Sequence, residues 1–206
     1  MRKPFRLLIG VPTTDYIHAD FVRSLLKLDE HLTREGIWHE TEILSGSLVY
    51  FARNRLACKV INEEYTHLLF IDSDMVFDES IVETLMFSGK DCVCGAFQSR
   101  REPFGACVYT SIQPMVNVNE YGAAPFRVAG CGMAMTLISK EILKEVQAKY
   151  GTCFNPERID GTNFGEDIAF CWRVNSIGKE IWCDPAARVG HIAHKVIWPG
   201  DEKRGG

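Results

Sequence analysis

Apolar and polar positions along this chain fall into blocks of changing period, and each period predicts an element. Residues 7–11 (Leu7, Leu8, Ile9, Gly10, Val11) form an unbroken apolar run that stops at Pro12-Thr13-Thr14, as a first buried strand would. Phe21, Val22, Leu25, Leu26, Leu28 and Leu32 then recur at helical spacing until Gly36 ends the pattern. Residues 37–44 alternate loosely, which predicts a second strand closed by Ser45-Gly46-Ser47. A second helix is expected over about 49–65, with Ala52, Leu56, Val60 and Ile61 inward. Residues 66–71 predict a third, buried strand, and it ends on Asp72-Ser73-Asp74. Asp78 stands where an N-cap belongs, before a helix carrying Ile81, Val82, Leu85 and Met86. Gly89 stops that helix, and residues 91–97 read as the next strand.

Strands alternating with helices imply an α/β fold, with a mostly parallel central sheet and helices on both faces. Residues 98–128 contain Pro103, Pro114 and Pro125 and read as loops with one or two short strands. Residues 129–138 read as a small-residue strand. Ser139 then caps a helix with Ile142, Leu143 and Val146 inward, ending at Gly151. Residues 166–177 form another helix closed by Gly178, residues 181–183 a short strand, and residues 199–206 a frayed tail. In open sheets of this kind ligands bind beyond the carboxyl ends of the strands, where Asp72 and Asp74 lie.

Composition narrows the class without changing the fold. At 206 residues, 46% hydrophobic and 24% charged, the chain fits one soluble globular domain over 1–206. A net charge of −4 gives no nucleic-acid signature. No apolar run approaches the ~20 residues of a membrane span. The short apolar segment after the basic start runs into Pro12, unlike a signal peptide, so a cytoplasmic location is expected. The eight cysteines are scattered; Cys92-Val93-Cys94 has neither zinc-knuckle nor redox spacing. Reduced thiols acting as small hydrophobes are the expectation.

Three acidic or imidazole elements carry the candidate chemistry. In Phe70-Ile71-Asp72-Ser73-Asp74, the apolar strand delivers two carboxylates to the sheet rim, where a divalent cation would relieve their repulsion. Hard oxygen ligands suit Mg²⁺ or Mn²⁺. Glu166 and Asp167 open a helix, where the macrodipole favours acids in any case. A carboxylate there that faces a pocket could deprotonate a hydroxyl. Farther on stands Val189-Gly190-His191, a candidate imidazole ligand. His191 is favoured over His194 because Gly190 leaves room for close approach and His191 comes directly off the strand-like segment. Asp72-Ser73-Asp74-Met75-Val76 also loosely matches the opening motif of haloacid-dehalogenase-type phosphatases, with Asp72 as nucleophile. That family's later acidic loop has no counterpart here, and its motif belongs on an opening strand, whereas two β-α units precede Asp72 in this chain.

In chain order, several motifs together resemble the GT-A glycosyltransferases, especially glycosyltransferase family 2-like enzymes and their short phage or bacterial relatives. They are Val11-Pro12-Thr13, Ala52-Arg53-Asn54, Asp72-Ser73-Asp74, Gly130-Cys131-Gly132, Gly165-Glu166-Asp167 with Arg173 and Gly178, and Val189-Gly190-His191. The resemblance implies a Rossmann-like domain whose 1–97 half binds nucleotide and whose 98–198 half binds acceptor and carries catalysis. It implies a metal-dependent, hexosyltransferase-like enzyme moving a sugar from a nucleoside-diphosphate sugar to a hydroxyl acceptor. Asp74 and His191 would ligate Mn²⁺ or Mg²⁺, with Asp72 at the metal or the ribose. Pro12, Thr13, Arg53 and Ser73 would line the nucleotide pocket, and Gly130 and Gly132 would leave space for the donor sugar. Asp167 would be the base of an inverting displacement, Glu166 would help orient the acceptor, and Arg173 would brace its helix. The family's second-strand acidic cluster is replaced by Ser45-Gly46-Ser47, and Ala52-Arg53-Asn54 is also similar to retaining mannosyltransferases of the yeast Golgi mannan type. A non-catalytic nucleotide- or carbohydrate-binding module is the remaining alternative.

Overall fold

A computed structural model describes residues 4–14, 16–100, 102, 104–193, 196 and 197. The expected 199–206 tail and His194 lie outside the described residues. The first apolar run forms β1 (Arg6–Pro12), buried after its first residue. Next come α1 (Ala19–Arg34), β2 (Trp38–Leu44) and α2 (Val49–Asn62). The third run is β3 (His67–Ile71), followed by β4 (Met75–Phe77), α3 (Ile81–Phe87) and β5 (Cys92–Ala96). Ser80, rather than Asp78, occupies the N-cap position of α3. Asp78 instead accepts hydrogen bonds from the Ser80 amide (3.0 Å) and hydroxyl (2.6 Å), shaping the turn that enters the helix.

The segment expected to be mainly loops holds three strands, β6 (Val108–Ile112), β7 (Met115–Asn117) and β8 (Phe126–Val128). The strand expected over 129–138 is broken into β9 (Gly130–Cys131) and β10 (Met135–Ser139), which belong to different sheets. Then follow α4 (Lys140–Tyr150), the hairpin of β11 (Glu157–Ile159) and β12 (Thr162–Phe164), α5 (Glu166–Ser176), β13 (Ile181–Ile192) and β14 (Val196–Ile197). Ser139 caps α4 as expected, its hydroxyl accepting from the Ile142 amide, and Gly151 ends that helix at φ 76°.

The main sheet runs β14-β13-β5-β10-β3-β1-β2, with β4 and β8 also paired to β13. β1 pairs parallel with β2 and β3, and β13 parallel with β5, while β10 runs antiparallel between β3 and β5. The sheet is therefore mixed, not simply parallel: β10 reverses between β3 and β5, and β14, β4 and β8 all pair antiparallel to β13. Alternate residues feed two cores. Leu7, Ile9, Val11, Leu69 and Ile71 pack with Phe21, Leu25, Leu28 and Leu32 of α1 and Ile81, Val82 and Leu85 of α3. Leu8, Leu68 and Phe70 pack with α2, α4 and α5 through Leu56, Leu143 and Phe170. Helices thus cover both faces, as the sequence pattern predicts. Gly10 permits the closeness of α2 to β1, since a Cβ there would stand 2.9 Å from Leu56 Cδ1. All eight cysteines are free thiols; six are buried, and Cys58 and Cys107 are half-buried. Among the described residues, no helix is long and apolar enough to cross a membrane.

β13 differs most from expectation. It runs twelve residues, where the sequence suggested three, because Pro185 sits in an irregularity between Asp184 and Arg188. A bulge relieves proline of the ladder hydrogen bond it cannot make. Gly95 makes room for it, because a Cβ at that position would lie 2.6 Å from the Ala187 carbonyl oxygen. Beyond the bulge β13 turns to β4, in the antiparallel register Val189↔Phe77, Gly190↔Val76, His191↔Met75.

Candidate active site

That register assembles the site. His191 stands opposite Met75, next to Asp74, and the Ile192 amide donates to the Asp74 carbonyl at 2.8 Å. The side chains meet as well: His191 Nε2 lies 3.2 Å from Asp74 Oδ2. On its other side the imidazole Nδ1–H donates to the Gln98 carbonyl at 2.8 Å. A histidine fixed in this way through Nδ1 turns Nε2 toward the carboxylate and can offer it to a metal. Burial by itself would raise the Asp74 carboxyl, but the hydrogen bond and charge of His191, helped by Arg100, hold it below its usual value. Burial would likewise lower His191, but the hydrogen bonds to Asp74 and Gln98 raise it.

A cleft of about 420 Å³ opens at the carboxyl ends of β1 and β3. Pro12, Thr13, Asp72, Ser73 and Asp74 line it, five of the residues the sequence singled out. Thr13 Oγ1 donates to Ser73 Oγ at 2.8 Å and so ties the two strand ends together. Tyr16, His18, Ser47, Val49 and Arg100 also line the cleft and were not foreseen. They lie on irregular connections or at a helix start, where no periodicity marks an inward position. Arg100 Nη1 is 2.5 Å from the same Asp74 oxygen that faces His191.

Arg53 is placed differently from the cleft-lining role. It is 3% exposed and inward-facing on α2. Its Nη2 donates to Asp72 Oδ1 at 2.9 Å, and its Nε is 3.4 Å from Glu166 Oε1. The guanidinium therefore joins the end of β3 to the start of α5. Asn54, the next residue, clasps the loop after α4: its Oδ1 accepts from the amides of Cys153 (3.2 Å) and Phe154 (2.8 Å).

Asp167 enters the group through its neighbour Glu166. Its Oδ1 accepts from the Ile168 amide at 2.8 Å. Burial first, and then the charge of Glu166, push its carboxyl up to about 6. Asp74 and His191 thus touch directly, while Asp167 is linked to Asp72 through the Glu166–Arg53 ion pair. Gly130 and Gly132 face protein: a Cβ at Gly130 would stand 2.8 Å from Ile112 Cγ2, and one at Gly132 would stand 3.0 Å from the Phe97 ring. Arg173 braces α5 as expected, donating to the carbonyls of Cys153 (2.9 Å) and Asn155 (2.8 Å) and to Glu157 (2.6 Å).

Asp74 and His191 fit a divalent cation as a pair. Their 3.2 Å separation is close to the roughly 3.0 Å between adjacent ligands of one six-coordinate ion that each lie about 2.1 Å from it. Among the described residues no three of His, Cys, Asp or Glu are grouped to hold a metal, so Asp72 does not complete a three-residue cage. An ion held by one or two protein groups is the usual Mg²⁺ arrangement, the remaining ligands being water and substrate phosphate.

No family model and no curated protein matches this chain. Among solved structures, A197 from STIV is 22% identical, over 96% of this chain and 95% of that one, with a TM-score of 0.64. A Drosophila β-1,4-galactosyltransferase 7 mutant, solved with manganese, UDP-Gal and xylobiose, is 14% identical over 87% of this chain and 65% of that one, with a TM-score of 0.46. The likeness to A197 shows a shared α/β fold across nearly the whole of both chains.

Proposed function

We propose that the protein is a GT-A-type glycosyltransferase that moves a sugar from a nucleoside-diphosphate sugar to a hydroxyl acceptor. The observation that carries this reading is the meeting of Asp74 and His191 at 3.2 Å, beside a cleft lined by Asp72 and Ser73 at the strand ends. Asp74 and His191 would hold Mn²⁺ or Mg²⁺, and the ion's chemistry is to neutralise charge on a departing diphosphate. Thr13 and Ser73, locked together, give the donor a fixed polar floor. Asp167 takes the acceptor hydroxyl's proton onto a carboxylate oxygen as that hydroxyl attacks the anomeric carbon from the side opposite the leaving group. A base titrating near 6 is ionised at neutral pH yet holds a proton better than an ordinary aspartate. Glu166, tied to Arg53, keeps negative charge beside Asp167 and sustains that basicity. The phosphatase alternative asks Asp72 to be a free nucleophile, but Arg53 engages its Oδ1.

The test is ligand-induced stabilisation with a panel of UDP- and GDP-sugars, each with and without Mn²⁺. A ligand at 100 times its Kd adds about 2.7 kcal/mol, a rise in Tm of roughly 5–10 °C for a domain this size. The expected result is stabilisation that needs both nucleotide-sugar and Mn²⁺ and is lost in Asp74→Asn. Equal stabilisation of Asp74→Asn, or none across the panel, would refute the reading. Release of phosphate from p-nitrophenyl phosphate would favour the phosphatase.

A further inference from the structure

Among the described residues that line the cleft, Arg100 is the one arginine or lysine. Its neighbours there include Asp72, which Arg53 already pairs, and Asp74, so without Arg100 no arginine or lysine among the described lining residues would meet a bound diphosphate. Arg100 also occupies a contested place. Its Nη1 is 2.5 Å from Asp74 Oδ2, and His191 Nε2 is 3.2 Å from that same oxygen. A divalent ion shared by Asp74 and His191 would press directly on the guanidinium, and two cations cannot crowd one carboxylate oxygen at such distances without strong repulsion. One of them must give way. Arg100 is able to move, because its side chain is about half exposed (49%) and is carried on a long flexible stem. The backbone beneath it is tethered, since two residues earlier the Gln98 carbonyl accepts from His191. The side chain can therefore swing while the loop stays in place.

We propose that Arg100 is an exchangeable cation of this site: it neutralises Asp74 until a divalent ion displaces it, and it then turns into the cleft to hold a phosphate group of the donor. This deepens the glycosyltransferase reading and rests on it. The exchange makes ion and diphosphate binding cooperative, because loading the ion frees the residue that recognises phosphate. A planar guanidinium suits that second task, since it can meet two phosphate oxygens at once.

The test measures binding, not turnover, with Mn²⁺ alone and then with inorganic pyrophosphate in saturating Mn²⁺. Free Mn²⁺ is counted by electron paramagnetic resonance for the wild-type chain, Arg100→Gln and Asp74→Asn. Removing the competitor should tighten Mn²⁺ binding in Arg100→Gln by about 2- to 5-fold, the effect of a partly exposed ion pair. The same variant should bind pyrophosphate about tenfold more weakly once Mn²⁺ is present, with Arg100→Lys recovering part of the loss. If wild-type Mn²⁺ binding depends on Asp74 but Arg100→Gln binds Mn²⁺ no more tightly, the exchange is wrong and the metal site stands. Unchanged pyrophosphate affinity in Arg100→Gln also overturns the proposal. If wild-type and Asp74→Asn bind Mn²⁺ alike, the underlying metal reading fails and the exchange fails with it.

Discussion

Replacing Asp167 by asparagine should stabilise the protein while stopping its chemistry. Asp167 is held where burial and the neighbouring Glu166 raise its carboxyl from an ordinary value near 3.8 to about 6. At about 1.4 kcal/mol for each pH unit between those values, ionising it in the folded state costs about 3 kcal/mol. The sign follows from proton linkage. Between about pH 4 and 6 the folded chain keeps a proton that the unfolded chain has released, so stability falls as pH rises through that window and levels off above it. Asparagine is nearly isosteric, keeps an oxygen for the Ile168 amide, and cannot ionise. Relative to wild type, Asp167→Asn should gain about half of the 3 kcal/mol at pH 5 and nearly all of it at pH 8. The gain at pH 8 corresponds to a rise in Tm of roughly 6–12 °C. Thermal denaturation of both proteins across pH 5–8 reads it directly. Wild-type kcat/KM should rise with pH through an apparent pKa of about 6, while the variant should be inactive throughout. If the stability difference does not grow between pH 5 and pH 8, Asp167 is not the strained carboxylate described above and loses its claim as the base.

Arg53→Met should be severe, because it leaves Asp72 and Glu166 facing each other without the buried guanidinium that separates them. A loss of about 3–5 kcal/mol is expected by urea denaturation, partly restored by adding Asp72→Asn; a loss below about 1 kcal/mol would show that the bridge is not structural. Gly130→Ala should cost about 1–3 kcal/mol through its clash with Ile112, whereas Gly122→Ala, with nothing nearer than 4.0 Å, should be neutral; equal Tm values for the two would refute the packing role given to Gly130.

The first half of the fold was legible because its elements are periodic. Apolar runs gave β1 and β3, and the spacing of Phe21, Leu25, Leu28 and Leu32 gave α1. Asp72 and Asp74 could be placed because a buried strand has only one way to end. The short strand expected over 181–183 stops before Pro185, yet Pro185 and Gly190 both lie inside β13, where a bulge and a pairing with β4 accommodate them. Asp160-Gly161 was a hairpin signal that went unread; both residues have positive φ, at 47° and 83°, as a tight turn between β11 and β12 requires. The reversal of β10 left no local mark, since a buried strand reads alike in either direction. Arg53 reads as a pocket residue because sequence shows charge, not partners. Only the positions of Asp72 and Glu166 make its burial affordable.

The fold explains why residues so far apart in number come together here. In a strand pair, a one-residue slip sends every side chain to the opposite face. His191 would then turn away from Asp74. The bulge at 185–187, seated over Gly95, sets the phase with which β13 reaches β4, and the Ile192 amide on the Asp74 carbonyl holds it there. α2 makes the complementary connection from the other face of the sheet. Arg53 reaches the end of β3 and the start of α5, while Asn54 fastens the loop after α4. One strand thus fixes the proposed metal ligands and one helix fixes the proposed base. Asp72, which lines the cleft, is the residue that Arg53 reaches, and Asp74, which also lines it, is the one that His191 reaches; this is why local sequence could suggest the residues but not the way they are held.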